Sequence, residues 1–277
     1  MRKNLVYILL LCFILCGCQV ISDDSTTPAV TTEQISSETP TEFVTDATTL
    51  PATEPDNRLG VPSGKYSERF EKENGSDYMD YWVYIPDNAT IDMPIVVFLH
   101  GSWEIGRMDL LEDYGIVGVV KEIYGEDFPF ILLLPNTHAS TWTVDSVPET
   151  LKGLIESVAE KYEADSQRII ITGHSLGSIG TWYMTSLYGD FFSAAVPISC
   201  GIDEPMNFEN CAKVPIMAFS GTVGNDEKNY NKAMHVLVSK INDAGGNATM
   251  NTMEGADHED AVTKFYTREL FEWMITQ

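Results

Sequence analysis

Apolar positions in this chain come in two patterns, short unbroken runs and helix-spaced stripes, and the two alternate from about residue 78 to the end. The runs occupy 78–85 (YMDYWVYI), 94–100 (PIVVFLH), 128–134 (FPFILLL), 169–172, 194–199, 214–220 and 248–253. Turn residues such as Pro86-Asp87-Asn88 and Pro135-Asn136 bound them, so they read as strands. The first two are close enough to predict a hairpin. Leu151, Leu154, Ile155, Val158, Ala159 and Tyr162 fall on one helical face, which predicts an amphipathic helix over 148–162. Tyr230, Ala233, Met234, Leu237 and Ile241 mark a second stripe, and Val262, Tyr266, Leu270, Trp273 and Met274 a closing one. Strands alternating with helices predict an α/β fold: a mostly parallel sheet covered by helices on both faces. The link over 201–213 is too short to hold a large lid domain.

The first 57 residues follow neither pattern. Arg2 and Lys3 precede an apolar run from Leu5 to Leu15 that ends in Leu15-Cys16-Gly17-Cys18, the layout of an export signal. Such a run is too short for a resident membrane helix. The Leu-x-Gly-Cys ending resembles a bacterial lipoprotein signal, which implies cleavage before Cys18 and a lipid on its thiol. The protein is then expected at the bacterial cell surface, facing outside the cytoplasm. Residues 19–57 are rich in Thr, Ser, Pro, Asp and Glu and contain no Lys or Arg, a composition that cannot bury enough apolar surface to order itself. The expected organisation is a signal peptide over 1–17, a disordered tether over 18–57 and a folded domain over 58–277. A tether of this length has an end-to-end distance of about 35 Å.

Composition narrows the partners. With 41 acidic against 17 basic residues the net charge is −24, which disfavours nucleic acid, anionic lipid and polyanionic substrates. Of the cysteines, Cys200 and Cys211 fall in the folded part. A bridge between them would contribute about 3 kcal/mol; two unpaired thiols are the other possibility. No C-x-x-C metal spacing occurs.

The candidate chemistry lies where the run at 169–172 ends in Gly173-His174-Ser175-Leu176-Gly177. G-x-S-x-G between a strand and a helix is the pattern of a nucleophile elbow, in which glycines allow a tight turn and the serine stands above the sheet. The block 171–201 (ITGHSLGSIGTWYMTSLYGDFFSAAVPISCG), with the earlier Val96-Val97-Phe98-Leu99-His100-Gly101-Ser102, resembles α/β-hydrolase esterases. The similar group comprises feruloyl and acetylxylan esterases, polyhydroxybutyrate depolymerases and predicted peptidases. Ser178 stands where many of them carry a second glycine.

That resemblance implies a Ser-acid-His triad in this chain order, since a serine hydroxyl needs a base and the base needs an acid to orient it. Asp226, after the run at 214–220, is the expected acid, with Glu227 and Asp203 as alternatives. His258, between the last strand and the closing helix, is the expected base. His235 is expected on the surface, as is His138, and His100 in the loop that shapes the oxyanion hole. Donors to the oxyanion are expected from Leu176 and from Ser102 or Trp103. Trp103, Trp142 and His174 are candidate substrate-binding residues. The implied activity is a serine carboxylesterase acting on acetyl or feruloyl esters of plant polysaccharide, with no metal or organic cofactor. A peptidase, a polyester depolymerase and a non-catalytic surface binding module are the competing readings.

Overall fold

The computed structural model describes residues 58–112 and 115–277; the signal segment, Cys18 and the tether lie outside the described residues. Eight strands are present: β1 (Gly64–Glu71), β2 (Tyr78–Ile85), β3 (Ile95–Leu99), β4 (Ile131–Asn136), β5 (Ile169–His174), β6 (Ala194–Ile198), β7 (Ile216–Gly221) and β8 (Ala248–Met253). They form one sheet in the order β1-β2-β4-β3-β5-β6-β7-β8. β1 and β2 pair antiparallel, as do β2 and β4, and every later pair is parallel. The helices in chain order are α1 (Met108–Leu111), α2 (Ile116–Tyr124), α3 (Val147–Lys161), α4 (Leu176–Leu187), α5 (Phe208–Cys211), α6 (Asn231–Asp243), α7 (Ala261–Lys264) and α8 (Arg268–Ile275).

Strand alternation divides the core into two layers. Ile95, Val97 and Leu99 of β3 pack with Leu151, Leu154 and Val158 of α3, Trp182 of α4 and Met234 of α6 on one face. Val96 and Phe98 pack on the other with Ile116 and Val120 of α2 and Phe271 and Met274 of α8. A strand covered on both faces has no polar side to show, which is why β3 and β6 read as unbroken apolar runs, and β4 as one up to its final Asn136. Each fully buried aliphatic side chain in these layers contributes about 1.5–3 kcal/mol relative to exposure.

Two expectations about elements are corrected, and two elements were not foreseen. β2 and β3 do not form a hairpin: β4 lies between them, and β2 turns back instead onto β1. β1 escapes a search for apolar runs because it is an edge strand, charged on one face and only half-buried at Tyr66 and Phe70 on the other. α2 was not expected, since its β-branched Ile116, Val117, Val119 and Val120 favour a strand locally; burial of all four against the sheet overrides that preference. The closing stripe is broken into α7 and α8, because the Thr267 hydroxyl accepts the Leu270 N–H and caps a fresh helix start.

Cys200 and Cys211 are both unpaired and buried, so no bridge joins them. Burial pushes the Cys200 thiol up to about 12 and the Cys211 thiol up to about 11, which leaves both protonated and unreactive at neutral pH.

Candidate active site

β5 runs into α4 through Ser175, whose backbone sits at φ 57° and ψ −116°, a conformation held by the Ser175 N–H donating to the Ile198 carbonyl at 3.0 Å. The turn closes only because its flanks are glycine. A Cβ at Gly173 would lie 2.5 Å from the Gly177 carbonyl carbon, and one at Gly177 would lie 2.5 Å from the Leu99 carbonyl carbon and closer still to its oxygen. The helix therefore starts hard against the end of β3, with the serine raised at the carboxyl edge of the sheet.

Two later loops bring the partners to it. His258 Nε2 is 2.9 Å from Ser175 Oγ, and His258 Nδ1 is 3.1 Å from Asp226 Oδ1. Asp226 opens a single π-helical turn (Asp226–Tyr230) and is wholly buried. Its Oδ2 accepts from the Gly221 N–H at 2.6 Å, the Ser199 hydroxyl at 2.7 Å and the Ser220 hydroxyl at 3.3 Å. Burial works to raise its pKa, but the hydrogen bonds from His258, Gly221 and Ser199 outweigh it and hold the carboxyl below its ordinary range. It is therefore ionised at neutral pH. The acid and base loops are laced together, since the Thr222 and Val223 N–H groups both donate to the Ala256 carbonyl.

Around this line the other sequence-selected residues sort themselves. His174 reaches behind the base: its Nε2 donates to the His258 carbonyl at 3.0 Å, and the two rings lie 4.6 Å apart. Burial and the neighbouring His258 push its pKa down to about 4, so it is neutral and positions the base loop. Ser102 and Trp103 form a short 3-10 turn with Glu104 over the serine; at Gly101, just before that turn, a Cβ would lie 3.7 Å from Ser175 Cβ. Leu176 is the first residue of α4, where backbone N–H groups lack helical partners. Trp103 is 84% exposed on the rim of a cleft of about 550 Å³ that Ser175 and His258 also line. Glu227 and Asp203 are exposed and stay outside the hydrogen-bonded line.

Trp142 is not a substrate platform. It is fully buried, its Nε1 donates to the His100 carbonyl at 3.1 Å, and its ring packs 4.8 Å from the His100 ring. The loop after β4 folds inward, where a large aromatic gains more from burial than from a place at the surface. His138 is partly exposed and bonds Asp80 at 3.0 Å, and His235 is exposed, as expected of both.

His100 is buried just after β3, where its Nε2 accepts the Thr137 N–H at 3.2 Å, so its proton is on Nδ1, donated to the Gly101 carbonyl. Burial pushes its pKa down to about 4. Between pH 4 and its unfolded value near 6.5 the unfolded chain binds the extra proton, so His100 costs stability as pH falls through that window. Urea unfolding at pH 7 and 4.5 is expected to show a loss that shrinks by about 2–3 kcal/mol in His100→Asn. Equal losses in the two proteins would contradict the buried, neutral assignment.

Two contributors escaped the sequence. Tyr230 packs 5.0 Å from the His258 ring and lines the cleft, although its spacing marked it only as part of a helix face. Its position four residues after Asp226 is the signal that would have placed it there. Ser199, with φ 57° at the end of β6, is the second donor to the acid and carries no motif.

No protein-family model matches the chain. Over 134 residues it is 26% identical to a bifunctional acetylxylan esterase/xylanase of Neocallimastix patriciarum, covering 47% of this chain and 19% of that protein. Over 131 residues it is 28% identical to feruloyl esterase B of Thermothelomyces thermophilus, covering 43% of each. The crystal structure of a thermostable esterase superposes with a TM-score of 0.67 at 25% identity, covering 77% of this chain and 63% of that one. The chain thus spans less than two thirds of the length of each of these proteins. Its eight-stranded, mostly parallel sheet with helices on both faces is an α/β-hydrolase fold.

Proposed function

We propose that this chain is a serine carboxylesterase that removes acetyl or feruloyl groups from plant polysaccharide through an acyl-enzyme. The observation that carries the reading is the continuous hydrogen-bonded line from Ser175 through His258 to the buried Asp226. In this mechanism His258 takes the hydroxyl proton as Ser175 attacks the ester carbonyl. The oxyanion that develops is met by the Leu176 N–H and by an N–H from the Ser102-Trp103 turn. His258 then protonates the leaving alcohol, and water, deprotonated by the same ring, releases the acid. Asp226 holds the ring with its Nδ1 proton inward and balances the charge the ring acquires.

The cleft suits an acyl group of modest size, with Leu110 and Val262 as its apolar wall and the exposed Trp103 as a flat face on which an aromatic acid can stack. The relatives named for acetylxylan and feruloyl esterase activity support that choice of substrate. A panel of p-nitrophenyl acetate, p-nitrophenyl octanoate, methyl ferulate and acetylated xylan tests it. Hydrolysis of the acetyl and feruloyl esters in preference to the octanoate is expected; inactivity on all four, with cleavage of peptides, would overturn it.

The same reading places the enzyme on the bacterial surface, joined to the membrane by lipid on Cys18 through the residue 18–57 tether. The Leu15-Cys16-Gly17-Cys18 ending supports this. Cys18→Ala is expected to move the protein from the membrane fraction to the soluble one; an unchanged membrane fraction would refute lipid attachment there.

A further inference from the structure

Among the described residues, most basic side chains are neutralised by a carboxylate. Of the twelve Lys and Arg other than Lys228, Lys232 and Lys240, ten form an ion pair with a carboxylate. Arg268 donates to the Ile123 carbonyl and lies over the Tyr124 ring. Lys228, Lys232 and Lys240 are exposed and line one groove of about 550 Å³. None of the three is ion-paired with a described residue, although the chain carries a large acidic excess. Lys240 sits over the Phe208 ring at 5.4 Å, so its ammonium is held at the groove wall by a cation–π contact.

This groove leads to the serine. It shares Asp203, Glu204 and Asn229 with an intervening depression of about 340 Å³ that Thr141 and Thr143 also line. Tyr230 belongs both to that depression and to the cleft holding Ser175. Direction follows from chemistry: the leaving oxygen must face His258 to be protonated, and Tyr230 is packed on His258. The path past Tyr230 is therefore the alcohol side of the ester. Its near part offers hydroxyls, an amide and carboxylates, the groups that bond sugar hydroxyls, and its far part offers three unneutralised ammonium groups.

We propose, resting on the ester-hydrolase reading, that the alcohol side of the substrate is an acidic polysaccharide whose uronic-acid carboxylates are held by Lys228, Lys232 and Lys240. The global charge of the protein disfavours polyanions at long range, but salt screens that field within about 10 Å. Contact with an unpaired lysine is decided locally. Asp203 and Glu204 face the same groove from the loop after β6 and confine the favourable end to the lysine side, which selects for sparse carboxylates over a dense polyanion.

The test is calorimetric binding of glucuronic-acid-substituted xylo-oligosaccharides to the Ser175→Ala chain, beside the same oligosaccharides with carboxyls reduced to alcohols. The acidic form is expected to bind about fivefold more tightly, the scale of one exposed charge pair or slightly more. That preference should vanish in a Lys228→Gln, Lys232→Gln, Lys240→Gln variant and at about 0.5 M NaCl, where the Debye length is a few ångströms. Equal affinity for the two forms, or a preference that survives the triple substitution, would overturn the proposal. Hydrolysis of p-nitrophenyl acetate by the same triple variant in the Ser175 background reports separately on the esterase reading. That small ester does not reach the lysines, so it should turn over at the unsubstituted rate; loss of turnover there would show the lysines acting at the serine and refute the groove assignment.

Discussion

Replacing His258 by alanine is expected to lower kcat on p-nitrophenyl acetate by about 10⁶-fold, and Asp226→Asn by about 10⁴-fold, with KM nearly unchanged and the fold retained. The first loss follows from removing the one base that, among the described residues, hydrogen-bonds Ser175 Oγ, 2.9 Å away. The second is less obvious and follows from the surroundings of the carboxylate. Three donors converge on Asp226 Oδ2, from Gly221, Ser199 and Ser220, and two of them are 2.7 Å away or closer. An asparagine must put its carbonyl oxygen among those donors, because an NH₂ there would meet a fixed backbone N–H. Its NH₂ then faces His258 Nδ1 and forces the ring proton to Nε2, pointing at the serine it should deprotonate. Asp226→Asn keeps the packing and reverses the tautomer. If its kcat stayed within tenfold of the parent, the acid would be a structural residue and the base would be oriented by something else.

The second large effect concerns folding. Gly177→Ala is expected to cost more than about 4 kcal/mol, a large part of the 5–15 kcal/mol that keeps a domain folded. Ordinary overpacking against side chains costs about 1–3 kcal/mol because rotamers give way. Here the new methyl meets the Leu99 backbone carbonyl, on a buried central strand whose neighbours are β4 and β5. Neither α4 nor β3 can retreat without opening the core. Gly60→Ala is the matched control, since nothing lies within 4 Å of a Cβ there. Urea midpoints compare them: Gly60→Ala should match the parent, and Gly177→Ala should give no cooperative transition or a much lower midpoint. A normal midpoint for Gly177→Ala would mean the elbow is looser than these contacts imply.

The same residues show what could be foreseen. The apolar runs of β3, β4 and β5 and the stripe of α3 are legible because burial on both faces, or on one helical face, writes itself directly into residue type. Gly173 and Gly177 are legible because a backbone approach this close tolerates no Cβ. The order of Ser175, Asp226 and His258 was expected from the family resemblance, and the fold brings the three within hydrogen-bonding distance. The insertion of β4 between β2 and β3 was not legible, since strand order depends on which connections cross over the sheet and short-range pattern does not record it. Trp142 was misplaced for a related reason: a loop at the carboxyl edge can turn outward to ligand or inward to core, and only its packing on His100 decides. The lysine groove was hidden by the net charge, because a sum over the chain says nothing about which cations lack a partner.

The central claim is that Ser175 is made nucleophilic by His258. The direct measurement is labelling of the folded chain with a fluorophosphonate, followed by mapping of the adduct by peptide mass spectrometry. One adduct is expected, on Ser175, absent in Ser175→Ala and slowed by orders of magnitude in His258→Ala. A folded chain that takes up no label, or one labelled equally well after His258→Ala, would contradict it.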